Sequence, residues 1–282
     1  MAATGLILPS MPYRTADVLW KLWYPLLSRV TRASPIVFLN YGYAEEGVSA
    51  RKPLLANNDE PDRVCIQLYD SVVRPVSLEG LRVLEVSCGH GGGASYIARY
   101  FNPQAVCGVD RNARAVQLCR RRHVAPGLNF ACGNALALDF ADETFDAVVN
   151  VEASHCYPNV PQFFREVFRV LRPGGHFLYA DFRRQTPGSA LLHQQLKASG
   201  LEVIDHQDIS HNVVRGMELN SEKYMSLIRR YVPAWLRKQA MRFAGVPGSR
   251  IHKELISGET VYVRYVLRKQ RTGAGAGNHA AG

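Results

Sequence analysis

Several features are missing from this sequence of 282 residues, and each absence excludes a class of protein. No uninterrupted run of about eighteen apolar residues occurs, so the sequence predicts no membrane-spanning helix. Six cysteines are present, but none form a Cys-x-x-Cys pair or a His spacing suited to zinc. We therefore expect a cytoplasmic protein with free thiols, no disulfide framework and no metal site.

Acidic residues are scarce beside basic ones: 24 Asp and Glu against 34 Lys and Arg give a formal charge of +10. Nucleic acid, an anionic membrane surface or an anionic substrate would each account for this excess. The composition alone does not choose between them. With 47% hydrophobic residues the chain is otherwise of ordinary globular composition, which excludes wholesale disorder.

The middle of the chain alternates strand-like and helix-like segments, which predicts an α/β fold with a mainly parallel sheet. Apolar or alternating runs predict strands at 81–87, 105–110, 128–135, 145–153, 176–182, 201–209 and 259–269. Helical spacing predicts helices at 92–101, 113–123, 161–171 and 189–200, and mainly helices over 209–255. The fold class predicted is a Rossmann-like seven-stranded sheet with helices on both faces and a mainly helical lid.

This pattern also predicts the domain organisation of the chain. An aromatic helix containing Trp20 and Trp23, with Thr15 as its N-cap and a break at Pro25, precedes the alternating segments. The predicted parts are a helical cap at 1–74, a cofactor-binding core at 75–208, a helical lid at 209–258, a last core strand at 259–269 and a disordered tail at 270–282.

A glycine-rich turn follows the first predicted strand, with the sequence LEVSCGHGGGA over residues 84–94. Such a turn lets a cofactor approach the backbone without side-chain collision. Asp110 ends the next strand, where a carboxylate can accept ribose hydroxyls. These features alone also fit a dinucleotide-binding fold, because the glycine pattern by itself is a weak signal.

Glu85 distinguishes between two candidate cofactors, NAD and S-adenosylmethionine. An acid inside an apolar strand needs a cation or hydrogen-bond donors, because burial of an unpartnered carboxylate is costly. The pyrophosphate of NAD would be repelled by this carboxylate, whereas S-adenosylmethionine carries an α-ammonium group. Glu85 therefore favours S-adenosylmethionine.

The pattern E-x-S-C-G-H-G-G resembles the first motif of class I S-adenosylmethionine-dependent methyltransferases. The resemblance continues through the ribose strand at 107–110, the adenine segment at 130–140, the fourth strand at 145–148 and the turn at 171–175. The segment FLNYGY at 38–43 resembles the lid segment of small-molecule methyltransferases. The resemblance assigns cofactor contacts to Tyr43, Glu85, Ser87, Gly89, Gly91, Asp110, Arg111, Asn134, Ala135, Asn150 and Glu152.

Two positions depart from the family pattern. Ser87 occupies the place of the first glycine of the common G-x-G-x-G, and Asn134 occupies the place of an aspartate that accepts the adenine amino group. Serine is small enough for the turn, and the Asn134 side-chain carbonyl can still accept a hydrogen bond. We expect both positions to remain compatible with cofactor binding.

His155 and Asp181 are the candidate catalytic residues. His155 lies in the loop after the fourth predicted strand, and Asp181 ends the fifth, which is its neighbour in the expected strand order. Histidine suits a general base for a hydroxyl acceptor near neutral pH. Asp181 would orient the imidazole and favour its charged form, as the acid does in a catalytic triad. The pair resembles that of O-methyltransferases acting on natural-product sugars.

The motifs at 38–46, 84–96, 150–158 and 179–183 most resemble phthiotriol-type lipid O-methyltransferases. The resemblance implies O-methylation of a hydrophobic small molecule or lipid, including polyketide-derived products and glycosides. C-methylation, carboxyl-methylation and a non-methylating S-adenosylmethionine-binding cyclase remain alternatives.

The expected partners follow from the same motifs. No Asn/Asp-Pro-Pro-aromatic segment follows the fourth strand, so we expect no nucleic-acid substrate. Basic residues of the lid could instead contact an anionic membrane peripherally. They are Arg229, Arg230, Arg237, Lys238 and Arg242. The sequence predicts no oligomeric state.

Overall fold

The computed structural model describes residues 36–47, 50 and 52–271. The predicted aromatic helix with Thr15, Trp20, Trp23 and Pro25 lies outside the described residues, as does nearly all of the predicted tail. In the described part, no helix is both long and apolar enough to cross a membrane.

Seven strands form one sheet, in the order β3-β2-β1-β4-β5-β7-β6. They are β1 (Arg82–Val86), β2 (Ala105–Asp110), β3 (Leu128–Cys132), β4 (Phe145–Val151), β5 (Leu171–Arg184), β6 (Leu201–Asp208) and β7 (Thr260–Lys269). Strands β1 to β5 are parallel, and β7 runs antiparallel to both β5 and β6. The prediction of a seven-stranded α/β sheet is confirmed.

Eight α-helices occur in the described part of the chain. They are α1 (Arg63–Val73), α2 (Gly92–Tyr100), α3 (Ala113–Arg122), α4 (Val160–Val170), α5 (Ala190–Ala198), α6 (Ser210–Tyr231), α7 (Arg237–Phe243) and α8 (Arg250–Ser257). Asn112 begins α3 by accepting hydrogen bonds from the backbone N–H groups of Arg114 and Ala115. The helices α6, α7 and α8 occupy the segment predicted as a lid, and a lid role for them stays a prediction.

Strand β5 is longer than predicted. The sequence predicts that Pro173-Gly174-Gly175 stops a helix and that the strand starts at residue 176, whereas β5 already begins at Leu171. The register with β4 shifts here, because Phe145 pairs with Leu171 but Ala147 pairs with His176. Between these two pairs β5 advances by five residues and β4 by two, so Pro173-Gly174-Gly175 form an irregularity within the strand.

Buried apolar side chains cover both faces of the sheet, as a mainly parallel sheet requires. Successive residues of β4 alternate between the two cores: Val149 joins the core with α1 and α2, and Val148 joins the core with α4 and α5. This packing leaves the polar residues at the carboxyl ends of β1, β2, β4 and β5 gathered along one edge, where open α/β sheets bind their ligands.

Candidate active site

The glycine-rich turn after β1 contains three residues with left-handed backbone, at alternate positions. Ser87, Gly89 and Gly91 have φ of 61°, 56° and 80°, a region that glycine tolerates far better than serine does. A Cβ on Gly93, in the first turn of α2, would lie 2.1 Å from a ring carbon of Tyr69 and 2.5 Å from a carboxylate oxygen of Glu85. The turn therefore depends on glycine, and only its first position has been given to a larger residue.

Glu85 lies beneath this turn and is 1% exposed. Its Oε1 accepts a hydrogen bond of 2.6 Å from the Tyr69 hydroxyl, and its buried Oε2 has no hydrogen-bond partner. No cation of the described residues pairs with it. Burial raises the pKa of Glu85 to about 7, against the hydrogen bonds it accepts. The protein thus leaves this carboxylate half-satisfied.

Asp110 ends β2 directly beside the turn. One carboxylate oxygen accepts from the Gly89 backbone N–H at 3.0 Å, and the other accepts from the Asn112 N–H at 2.8 Å. Burial raises the pKa of Asp110 despite these bonds. Each oxygen keeps a second acceptor position, so the side chain is suited to hold neighbouring hydroxyl groups.

The residues predicted to surround adenine lie further along the same edge. Asn134 is exposed, and its side-chain oxygen accepts from the Leu136 backbone N–H at 3.0 Å, which leaves it one further acceptor position. Arg111 is exposed and Ala135 is half-buried against the second core. Their contacts to a cofactor stay predictions.

Asn150 and Ser87 meet through a tyrosine that the sequence analysis missed. The Tyr157 hydroxyl lies 2.5 Å from Ser87 Oγ and accepts from Asn150 Nδ2 at 3.1 Å. Asn150 also donates to the Val86 carbonyl, while its own buried oxygen has no partner. Ser87 thus gains a hydrogen bond that glycine could not make. Tyr157 comes into range because a 3-10 turn at Ser154–Cys156 reverses the chain.

Asn150 and Glu85 face opposite sides of the sheet. Glu85 contacts Tyr69 of α1, on the side of the first core, whereas Asn150 contacts Tyr157 on the side of the second. One ligand atom cannot satisfy both orphaned oxygens. If a single ligand meets both, it must extend across the end of β1.

His155 and Asp181 lie together at the carboxyl ends of β4 and β5, which are neighbours in the sheet. The Nδ1 atom of His155 is 2.7 Å from Asp181 Oδ1, and the backbone N–H of His155 donates to Oδ2 at 2.9 Å. Burial opposes a charge on the imidazole, but the adjacent carboxylate outweighs it and raises the pKa of His155 to about 10. This geometry fixes the ring, with Nε2 as the nitrogen that does not face Asp181.

Asp181 itself is fully buried and surrounded by donors. Arg183 Nη1 lies 3.1 Å from Oδ2, and Ser154 Oγ donates to the same oxygen at 2.7 Å. Burial alone would raise the pKa of Asp181, but Arg183 and His155 hold it well below its usual range. Unlike Glu85, this carboxylate is completed by the protein. Arg183 was missed by the sequence analysis, although its spacing of two residues from Asp181 on a strand places both on one face.

Aromatic rings line the space next to His155. Phe182 lies against the imidazole with ring centroids 4.3 Å apart, and it also contacts Tyr41 at 5.7 Å and Tyr262 at 6.1 Å. Glu152 joins this group, because its Oε1 accepts from the Tyr41 backbone N–H and the Tyr262 hydroxyl. Burial raises the pKa of Glu152 to about 8. The imidazole therefore lies between aromatic rings on one side and the charged pair of Asp181 and Arg183 on the other.

Tyr43 lies two residues from this group but makes other contacts. Its hydroxyl donates to Glu45 at 3.2 Å, and burial beside that carboxylate raises the pKa of Tyr43 to about 12. Tyr41, rather than Tyr43, is the tyrosine of the segment that touches Glu152 and Phe182. A cofactor contact by Tyr43 stays a prediction.

The residues along this edge fit S-adenosylmethionine. The carboxylate of Glu85 lacks a cation, and the Asp110 oxygens can accept ribose hydroxyls. The close-packed glycine turn between them leaves backbone rather than side chains toward a ligand.

Comparison with known proteins points the same way. A family model described as a methyltransferase domain matches residues 84–179. The chain is 43% identical over 252 residues to a phthiotriol/phenolphthiotriol dimycocerosates methyltransferase of Mycobacterium leprae, covering 89% of this chain and 92% of that protein. It is 42% identical over 256 residues to a fatty-acid O-methyltransferase of Mycolicibacterium smegmatis, covering 91% and 92%.

The fold is also similar to that of a solved structure, the cyclase SpnF. The TM-score is 0.68 at 22% sequence identity, and the match covers 93% of this chain and 98% of that one. At this identity the likeness concerns the fold alone.

Proposed function

The chain belongs to the S-adenosylmethionine-dependent methyltransferases, and on this basis we propose that it methylates a hydroxyl group of a hydrophobic small molecule or lipid. The relatives that carry lipid names support an acceptor of this kind. The observation that carries the choice of a hydroxyl is the 2.7 Å contact between His155 and Asp181 at the carboxyl edge of the sheet. A hydroxyl is a poor nucleophile and benefits from a base, whereas a carboxylate needs none.

S-adenosylmethionine supplies an electrophilic methyl group on a sulfonium. Asp181 holds the imidazole of His155 in one orientation, and Nε2 of the neutral form takes the proton of the acceptor hydroxyl. Because the pKa of His155 is raised to about 10, the share of this neutral form increases as pH rises toward that value. The cofactor, when bound, would supply the methyl group to the deprotonated acceptor oxygen and would leave as the neutral thioether. A base of this kind supplies roughly 10²–10⁴-fold in rate. The aromatic rings of Phe182, Tyr41 and Tyr262 would hold an apolar acceptor next to it.

For the cofactor, we assign the α-ammonium group to Glu85 and the ribose to Asp110. The half-satisfied carboxylate of Glu85 and its raised pKa support the first assignment. The remaining members of the predicted set would contribute to the same site. They are Tyr43, Ser87, Gly89, Gly91, Arg111, Asn134, Ala135, Asn150 and Glu152.

Transfer of a labelled methyl group tests this function. The acceptors are a long-chain lipid with a free hydroxyl, the same lipid with its hydroxyl already methylated, and a fatty acid. We expect product only from the free hydroxyl, heavier by one methylene, and a large loss of it in His155→Ala. Product from the fatty acid that survives His155→Ala would instead indicate carboxyl-methylation, and no methyl release from any acceptor would favour a non-methylating role.

The segment predicted as a lid also supports contact with an anionic membrane. Residues 223–253 contain no Asp or Glu, and Trp235, in the 3-10 turn just before α7, is 78% exposed. Among the described residues, no carboxylate pairs with Arg229, Arg230 or Lys238. Basic residues and an interfacial tryptophan are a common membrane-surface combination.

Sedimentation with lipid vesicles tests this contact. We expect binding to phosphatidylglycerol vesicles, none to phosphatidylcholine, and weaker binding in Trp235→Ala than in Leu54→Ala, another exposed apolar residue. Equal binding by both variants would argue against it.

A further inference from the structure

Arg183 is a largely buried cation next to the candidate base. It lies on β5 two residues after Asp181, and its side chain is 15% exposed. Its guanidinium contacts Asp181 Oδ2 at 3.1 Å and donates to Ser154 Oγ at 2.7 Å and to the Tyr179 hydroxyl at 3.3 Å. These contacts hold it on the oxygen of Asp181 that His155 Nδ1 does not use.

The two cations thus share one carboxylate. A lone Asp181 would strongly favour the imidazolium form of His155, which cannot accept a proton. A permanent positive charge on the other carboxylate oxygen offsets part of that attraction and disfavours a second cation nearby. Arginine is suited to this, because it stays charged even when buried.

We propose that Arg183 is a positioning residue that sets the proton affinity of His155 by sharing Asp181 with it. The role of Arg183 in catalysis rests on the proposed function. Its effect on the proton affinity of His155 can be measured without substrate or cofactor. With Arg183 present, the imidazole loses its proton at lower pH than it would beside an unshared carboxylate.

Other titratable groups also face this pair, and their contributions must stay constant in a test. They are Tyr179 on β5, Glu152 and Cys156 after β4, Tyr262 on β7 and Tyr41. None of them carries a permanent positive charge. A substitution of Arg183 therefore removes the one fixed cation that touches Asp181 in the described structure.

Nuclear magnetic resonance titration of His155 tests the proposal without any methyl transfer. The His155→Gln variant assigns the imidazole resonance. We expect Arg183→Gln, whose amide can keep contacts to Ser154, to raise the titration midpoint of His155 by about one pH unit. Arg183→Lys, which keeps the charge, should leave the midpoint near that of the natural protein. Arg172→Met is the matched control, because Arg172 lies on the same strand and pairs with Asp146 at 2.8 Å.

An unchanged midpoint in Arg183→Gln, or an equal shift in Arg172→Met, would overturn the proposal. If Arg183→Gln does not fold, Arg183→Met provides the same loss of charge. A shift of a full pH unit in the titration midpoint of Arg183→Lys would also contradict the proposal. A methyl-transfer assay separates the proposal that His155 is the base from the proposal that Arg183 sets its proton affinity. Full methyl transfer by His155→Gln would refute the proposed base, while the titration would still decide the role of Arg183.

Discussion

Glu85 and Asp181 are both buried carboxylates at the same edge of one sheet, yet the protein treats them in opposite ways. Asp181 receives two cations and further donors, which hold its pKa well below the usual range. Glu85 accepts from the Tyr69 hydroxyl but receives no cation from the described residues and keeps an oxygen without a partner, so burial raises its pKa to about 7. Asp181 has all its interactions with protein groups and acts on His155, whereas the unpartnered oxygen of Glu85 can still accept a hydrogen bond from a ligand.

The largest effect on activity is expected from substitution of Asp181, the acid that is surrounded by protein donors. Asp181→Asn removes the charge that orients and polarises His155, so we expect kcat to fall by about 10²–10⁴-fold. Steady-state methyl transfer measures it, with circular dichroism as a check on folding. Asp142→Asn is the control, because Asp142 is 74% exposed and precedes β4, whereas His155 follows the other end of that strand. Equal losses in both variants would remove the distinction between the two kinds of acid.

The next effect concerns ligand affinity on the incomplete side. Glu85→Gln removes the carboxylate that we propose binds the α-ammonium group, so we expect S-adenosylmethionine binding to weaken by roughly 10–100-fold. Titration calorimetry measures the change. Glu79→Gln, an exposed acid before β1, should bind as the natural protein does. Unaltered affinity in Glu85→Gln would show that the unpartnered oxygen has another purpose.

The same variant should change how stability depends on pH. Because the folded-state pKa of Glu85, about 7, is above its ordinary value of 4.5, the folded protein retains a proton that the unfolded chain loses. This contribution to stability is complete below pH 4.5 and is lost as pH rises to about 7. Relative to Glu85→Gln, the unliganded natural protein should therefore lose up to about 3 kcal/mol over this window.

Denaturant unfolding of both proteins at several pH values measures that difference. The comparison between variants cancels the contributions of the other titrating groups. A difference that stayed constant from pH 4.5 to 7 would indicate that Glu85 titrates normally in the folded protein.

The smallest effect concerns the strained turn. Ser87 has φ of 61°, and its hydroxyl lies 2.5 Å from that of Tyr157. Ser87→Gly relieves the strain but loses the hydrogen bond, so we expect the free energy of unfolding to stay within about 1 kcal/mol. Ser87→Val, with a β-branched side chain at positive φ, should lose about 1–3 kcal/mol. Thermal unfolding compares the two, and equal stability would argue against strain at this turn.

The sequence predicts the sheet well, because buried strands and glycine turns have local signatures. It also places His155 and Asp181 on adjacent strands, since the carboxyl ends of parallel strands meet at one edge. It does not reveal Tyr157 as a partner of Ser87, because the two residues are 70 positions apart and the position of Tyr157 depends on the 3-10 turn that precedes it. The length of β5 is missed for a similar reason: a register shift lets glycines continue the strand.

The contact of Arg183 with Asp181 is also not predictable from the sequence. Its alternation with Asp181 was visible, but a strand arginine is usually exposed, and only the packing around Ser154 and Tyr179 shows that it is buried on the acid. Likewise, the sequence indicates that Glu85 is a buried acid, whereas only the three-dimensional structure shows that its Oε2 atom has no hydrogen-bond partner.

Proton release on ligand binding tests the difference between the two acids most directly. S-adenosylhomocysteine carries the α-ammonium group without the sulfonium charge, and at pH 6 that ammonium is already protonated. Calorimetry in buffers of different ionisation enthalpy should show the natural protein releasing close to one proton as Glu85 ionises against the ammonium, and Glu85→Gln releasing almost none. No release from the natural protein, or the same release from both, would contradict the account.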